Sequence, residues 1–118
     1  MEKIFNKLVR DKIPDKIEKN GEYALTKTLN DNDFENALDN KLLEEVKEVI
    51  ASRTPDEIKE ELADLLEVML KKAEVNNISF NDIEAARKQK KEVKGGFDTK
   101  TFLIKTVDQS YVDEKEAV

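Results

Sequence analysis

Two short stretches of the chain hold acids at a spacing that can do chemistry. The stretch "KLLEEVKEVI", residues 41–50, carries Glu44, Glu45 and Glu48. The stretch "EELAD", residues 60–64, carries Glu61 and Asp64. Glu45 with Glu48, and Glu61 with Asp64, are each spaced i, i+3, so on a helix each pair shares a face. At about 100° per residue, Glu45 falls among Leu38, Leu42 and Val49, inside an apolar arc. Glu61 falls likewise between Leu65 and Val68, and Asp64 flanks Val68.

Carboxylates gathered in an apolar seam repel one another and lose hydration. Unpaired, each costs on the order of several kcal/mol or takes up a proton. Nearby cations or a bound divalent metal relieve this. The chain has no His and no Cys, which removes imidazole and thiolate as ligands, bases or nucleophiles. An all-oxygen site suits a hard cation, Mg²⁺ or Mn²⁺. The bland alternative is a solvated helix surface, since Lys41 with Glu45 and Glu44 with Glu48 are also plain i, i+4 neighbours. Two facing pairs, each with a member inside an apolar arc, put the metal site ahead.

The elements that must position these acids are helices. Apolar periodicity predicts one from about Phe34 to Ser52, preceded in "NDNDFENALD" by several candidate N-caps. "RTPDE" restarts a second, from about Pro55 to Val75, with Thr54 as cap, Pro55 at the first helical position and Glu57 completing a capping box. The short break makes the two antiparallel neighbours, so their shared seam brings the acid pairs together. Ser79 and Asp82 announce a third long helix, about Phe80 to Lys94, ending at Gly95 and Gly96. A short helix in "PDKIEKNG" closes at Gly21. "EYALTKTL" and "FDTKTFLIKTV" read as extended or strand-like.

The 118 residues, 41% of them charged and 38% hydrophobic, fit a single α-helical domain over 1–105 with a polar tail over 106–118. A net charge of −6 disfavours a nucleic-acid polymer or an anionic membrane as partner. No signal peptide and no apolar run of bilayer length is visible, so the expected location is cytoplasmic and membrane-free.

The spacing "EEVKE", twelve residues, then "ELAD" is E-E-x-x-E followed by E-x-x-D. It resembles the MazG-like nucleotide pyrophosphohydrolases of the all-α NTP pyrophosphatase superfamily. The opening "FNKLVRDKIP" and the segment "KKEVKGGFDTKTFL" resemble a phosphoribosyl-ATP pyrophosphohydrolase-like subgroup. The resemblance implies an all-α antiparallel helical bundle, with short extended segments near both ends, that assembles as a homodimer or homotetramer. It implies Mg²⁺-dependent cleavage of a nucleoside triphosphate between the α- and β-phosphates. Carried over, the metal ligands are Glu45, Glu48, Glu61 and Asp64. Glu44 matches the first acid of the motif but points away from Glu45, as a water-orienting candidate. With no His, a Glu is the general base, Glu44 or Glu48.

The basic residues have a matching role. Lys7 and Arg10 in "NKLVRDKIP" and Lys91 and Lys94 before the glycine pair are candidate phosphate contacts, whereas Lys12 reads as surface charge. Two further readings stand beside the triphosphate hydrolase. One is the same chemistry on phosphoribosyl-ATP in histidine biosynthesis, ranked lower because the N-terminal signature differs from that expected of the biosynthetic enzymes. The other is a non-catalytic helical oligomerisation module, against which the intact set of acids counts.

Overall fold

The computed structural model describes residues 1–110, so residues 111–118 of the expected polar tail lie outside the described residues. Among the described residues, four helices are assigned: α1 (Ile13–Lys19), α2 (Asp31–Ala51), α3 (Pro55–Val75) and α4 (Phe80–Lys94). The fold is all-α, with no strand among the described residues. The chain divides into two compact units, Met1–Ile83 and Glu84–Val118. No helix among the described residues is long and apolar enough to cross a membrane.

The boundaries follow local chemistry. Among the candidate caps before α2, Asn30 takes the role, its side chain accepting a 2.8 Å hydrogen bond from the Asp33 N–H. The helix therefore begins three residues before Phe34. At α3, Thr54 Oγ1 accepts from the Glu57 N–H at 3.2 Å, and Pro55 lies in the first turn where no N–H is missed. The Glu57 carboxylate reaches back to the N–H of Arg53 at 3.0 Å, one residue before the cap that a capping box would join. Ser79 Oγ caps α4 through the Asp82 N–H at 3.1 Å. Gly21 (φ +92°) and Gly95 (φ +84°) turn the chain out of α1 and α4 in the left-handed region that suits glycine.

The two strand-like stretches form neither helix nor strand over residues 22–30 and 99–108. Among the described residues no strand lies beside them to pair with, and an isolated extended segment gains no ladder hydrogen bonds.

In the first unit, α2 packs along α3. Asn76 Nδ2 donates to Glu35 Oε1 at 3.1 Å, and Lys72 Nζ lies 2.9 Å from Asp39 Oδ1. The end of α3 thus meets the start of α2, and the helices run antiparallel. On this register Ala73 stands level with Leu38, a small residue opposite a large one, which lets the helices close up. Leu38 (2% exposed) and Ala73 are the buried apolar residues among those described, and Glu45 is the buried charged one. Leu43, Val46 and Ile50 on α2 and Ile58, Leu62, Leu66 and Met69 on α3 stay exposed.

Candidate metal centre

The antiparallel register carries the late half of α2 to the early half of α3. There Glu45, Glu61 and Asp64 each offer a carboxylate oxygen within 4.8 Å of the others. Glu45 is buried (7% exposed) because its helical position follows Leu38 and Leu42 along the seam. Glu61 and Asp64 are half-buried. Glu48 stands one turn beyond Glu45 and is exposed. It does not join the group of three, but its charge acts on Glu61.

Cations already occupy part of this surface. Lys41 Nζ lies 3.4 Å from Glu45 Oε1 and 3.3 Å from Glu44 Oε2, with its own side chain largely covered. Lys7 Nζ lies 3.0 Å from Glu44 Oε1, and Arg10 Nη2 lies 2.8 Å from Asp64 Oδ1. The N-terminal segment therefore comes to the acids of both helices. Lys41 was legible in the sequence only as a generic i, i+4 neighbour of Glu45. The burial that turns that spacing into a shared counter-ion is a tertiary effect. Lys91 and Lys94 stand in the last turn of α4, within the second unit.

The electrostatics separate the acids. Burial pushes the Glu44 carboxyl up, but Lys7 and Lys41 together outweigh it and hold the group below the usual glutamate value. Glu61 goes the other way. Desolvation pushes it up first, and the charges of Asp64, Glu48, Glu45 and Glu57 push it further. Glu61 makes no ion pair among the described residues, so its charge is the least compensated of the three. A group of ionised carboxylates with one uncompensated member favours a bound cation. The donor set is all oxygen, which fits a hard divalent ion and suits neither thiolate- nor imidazole-seeking metals.

Residues 5–91 match the family model of phosphoribosyl-ATP pyrophosphohydrolase. The chain belongs to this family. The phosphoribosyl-ATP pyrophosphohydrolase family lies within the MazG-like NTP pyrophosphatase superfamily, in agreement with the helical architecture and with the acid spacing. Membership makes the chain a pyrophosphohydrolase-type protein. Neither the curated proteins nor the solved structures compared with the chain contain a match. The matched span of this phosphoribosyl-ATP pyrophosphohydrolase family member takes in both acid pairs, Lys7, Arg10 and Lys41, and ends at Lys91. Lys94 and the glycines at 95 and 96 fall beyond it.

Proposed function

We propose that the chain is a divalent-metal-dependent pyrophosphohydrolase that cleaves a nucleoside triphosphate between its α- and β-phosphates, releasing a monophosphate and pyrophosphate. The observation that supports it most is the group of Glu45, Glu61 and Asp64, drawn from two helices into one all-oxygen cluster. In this reading these three acids hold Mg²⁺ or Mn²⁺, with Glu48 as the fourth acid of the set. When bound, a cation held by these acids would supply positive charge to offset the triphosphate and polarise the attacked phosphorus.

The residues of the chain divide the remaining work. Glu48 is exposed and makes no ion pair among the described residues, so it can take the proton of a water as that water's oxygen bonds to phosphorus and pyrophosphate leaves. Glu44 shares the candidacy for this base, but two lysines hold its carboxylate and lower its proton affinity, which makes it the poorer base. Lys7 and Arg10 stand on the acids of the site and supply phosphate contacts, Arg10 with a planar fork and Lys7 with a point charge. Lys91 and Lys94 are proposed phosphate contacts because they stand beside Gly95 and Gly96, where backbone N–H groups can face an anion.

A second substrate reading is phosphoribosyl-ATP, favoured by the description of the matching family. It offers the same scissile anhydride plus a further phosphate for basic residues to recognise. Incubation with a panel of NTPs, dNTPs and phosphoribosyl-ATP in Mg²⁺, with pyrophosphate release as readout, ranks the two. Release from none of them, together with no Mg²⁺-dependent rise in melting temperature, rejects the enzymatic reading in favour of a helical interaction module.

The assembly belongs to the same proposal. A helix pair whose buried apolar residues are Leu38 and Ala73 has little core of its own. The exposed stripe Ile58, Leu62, Leu66 and Met69 on α3 recurs at helical spacing. A second copy of the chain covering that stripe, in a homodimer or homotetramer, supplies the missing burial.

A further inference from the structure

Residues 1–12 belong to no helix or strand, and all but Leu8 are exposed. Packing beneath them is incomplete: a cavity of about 70 Å³ lies between Asn6, Lys7 and Leu8 on one side and Ala37, Asn40 and Lys41 of α2 on the other. Two ion pairs tie this segment down. Lys7 holds Glu44 of α2, outside the cluster of three acids, and Arg10 holds Asp64 of α3, inside it.

Asp64 therefore has two claimants. One is the Arg10 guanidinium, present in the protein by itself. The other is the divalent cation for which Asp64, Glu45 and Glu61 form the cluster. Two positive charges drawn to one carboxylate oppose each other. The contact is also made to yield. A single guanidinium nitrogen of Arg10 meets a single oxygen of Asp64, without the bidentate geometry that makes such pairs strong. The two side chains are 56% and 44% exposed, so releasing them costs little.

We propose that Arg10 is an exchangeable counter-ion of the metal centre. It occupies Asp64 while the cluster holds no metal, yields that carboxylate to the incoming divalent cation, and is thereby freed to meet a substrate phosphate. The Lys7–Glu44 pair keeps the segment in place during the exchange. This rests on the metal-centre reading of Glu45, Glu61 and Asp64. It makes Arg10 a phosphate-binding residue whose availability is coupled to metal loading, so that the guanidinium becomes available only once the acids have been neutralised. Linkage requires reciprocity: if the metal weakens the Arg10–Asp64 pair, the pair weakens the metal by the same factor.

Calorimetric titration of the full chain with MgCl₂ alone, at low salt, tests this. Arg10→Gln is expected to bind Mg²⁺ about two- to fivefold more tightly than the wild type, the range that an exposed ion pair allows. Lys7→Gln removes the same charge from the same segment without touching Asp64, and is expected to change the affinity by less than half as much on a logarithmic scale. Trypsin cleavage after Arg10, measured relative to other sites, is expected to speed up when Mg²⁺ is added to the wild type. Equal or weaker Mg²⁺ binding by Arg10→Gln overturns the proposal, because the guanidinium would then be indifferent to the metal or would be orienting Asp64 for it. A matching gain in Lys7→Gln also overturns it, by assigning the effect to net charge. Absence of Mg²⁺ binding by the wild type overturns the metal centre itself, a result distinct from the other two.

Discussion

Lys41 Nζ lies 3.4 Å from Oε1 of Glu45, the buried acid of the α2–α3 seam, and both side chains are largely shielded from water. Removing one partner of such a pair leaves a charge with neither water nor a counter-ion. Lys41→Met is expected to destabilise the metal-free protein by about 3 kcal/mol, measured by urea unfolding in EDTA. Because a divalent cation can take over the neutralisation of Glu45, Mg²⁺ should raise the melting temperature of this variant more than that of the wild type. An equal rise in both would show that Glu45 does not meet the metal.

Glu61 carries the opposite prediction. Its carboxyl is raised above the ordinary glutamate value by desolvation and by its acidic neighbours, so the folded state binds its proton more tightly than the unfolded state does. Stability from this group is present at low pH and falls as pH rises through the window between the two values. At neutral pH without metal, Glu61→Gln should therefore melt above the wild type, with the gap closing as pH falls into the ordinary glutamate range. The same variant should lose its Mg²⁺-induced rise in melting temperature. A melting point below the wild type in EDTA would contradict the uncompensated charge at this position.

For Glu44 the sign reverses, because Lys7 and Lys41 hold its carboxyl below the usual value. Its contribution is present above the unfolded value and is lost as pH falls through the lower folded one. Glu44→Gln should thus be less stable than the wild type at neutral pH, and the two should converge in acid. Thermal melts across pH 3–7, the window of a lowered glutamate, check this directly.

Activity distinguishes the two candidate bases. Glu48→Gln is expected to lower pyrophosphate release by about 10²- to 10⁴-fold, the usual contribution of a general base. Glu44→Gln, whose carboxylate is tied to two ammonium groups, should cost less than about tenfold on the same scale. A larger loss at Glu44 than at Glu48 reverses the assignment.

Packing provides the last pair of tests. Leu38 is the most buried apolar side chain of the described residues, and Leu38→Ala should cost about 2–5 kcal/mol in urea unfolding. Leu66→Glu places a charge on the exposed stripe of α3, where a lone chain would tolerate it. If a second copy covers that stripe, light scattering should show the wild type as an oligomer and the variant as a smaller species. A monomeric wild type would remove the basis for the assembly.

Much of this was legible in the chain itself, because it depends on neighbours a few residues apart. Thr54, Pro55 and Ser79 place the starts of α3 and α4 through hydrogen bonds and φ restrictions that act within one turn. Gly21 and Gly95 place ends through a backbone conformation that few other residues adopt. The i, i+3 spacing of Glu45 with Glu48 and of Glu61 with Asp64, together with the absence of His and Cys, points to an oxygen-ligand cation before any helix is packed. The alternation in residues 22–29 and near Phe102 left strand and extended segment both open, and no strand forms there, since a strand exists only when a partner accepts its hydrogen bonds and no local pattern guarantees one. What the tertiary structure decided was charge balance. Only the antiparallel register of α2 on α3 selects Glu45, Glu61 and Asp64 as the tight group and leaves Glu48 outside it. Only the path of the N-terminal segment brings Lys7 to Glu44 across 37 residues and Arg10 to Asp64 across 54. Electrostatic energy depends on distance through space and on the water excluded between the charges, and sequence separation encodes neither.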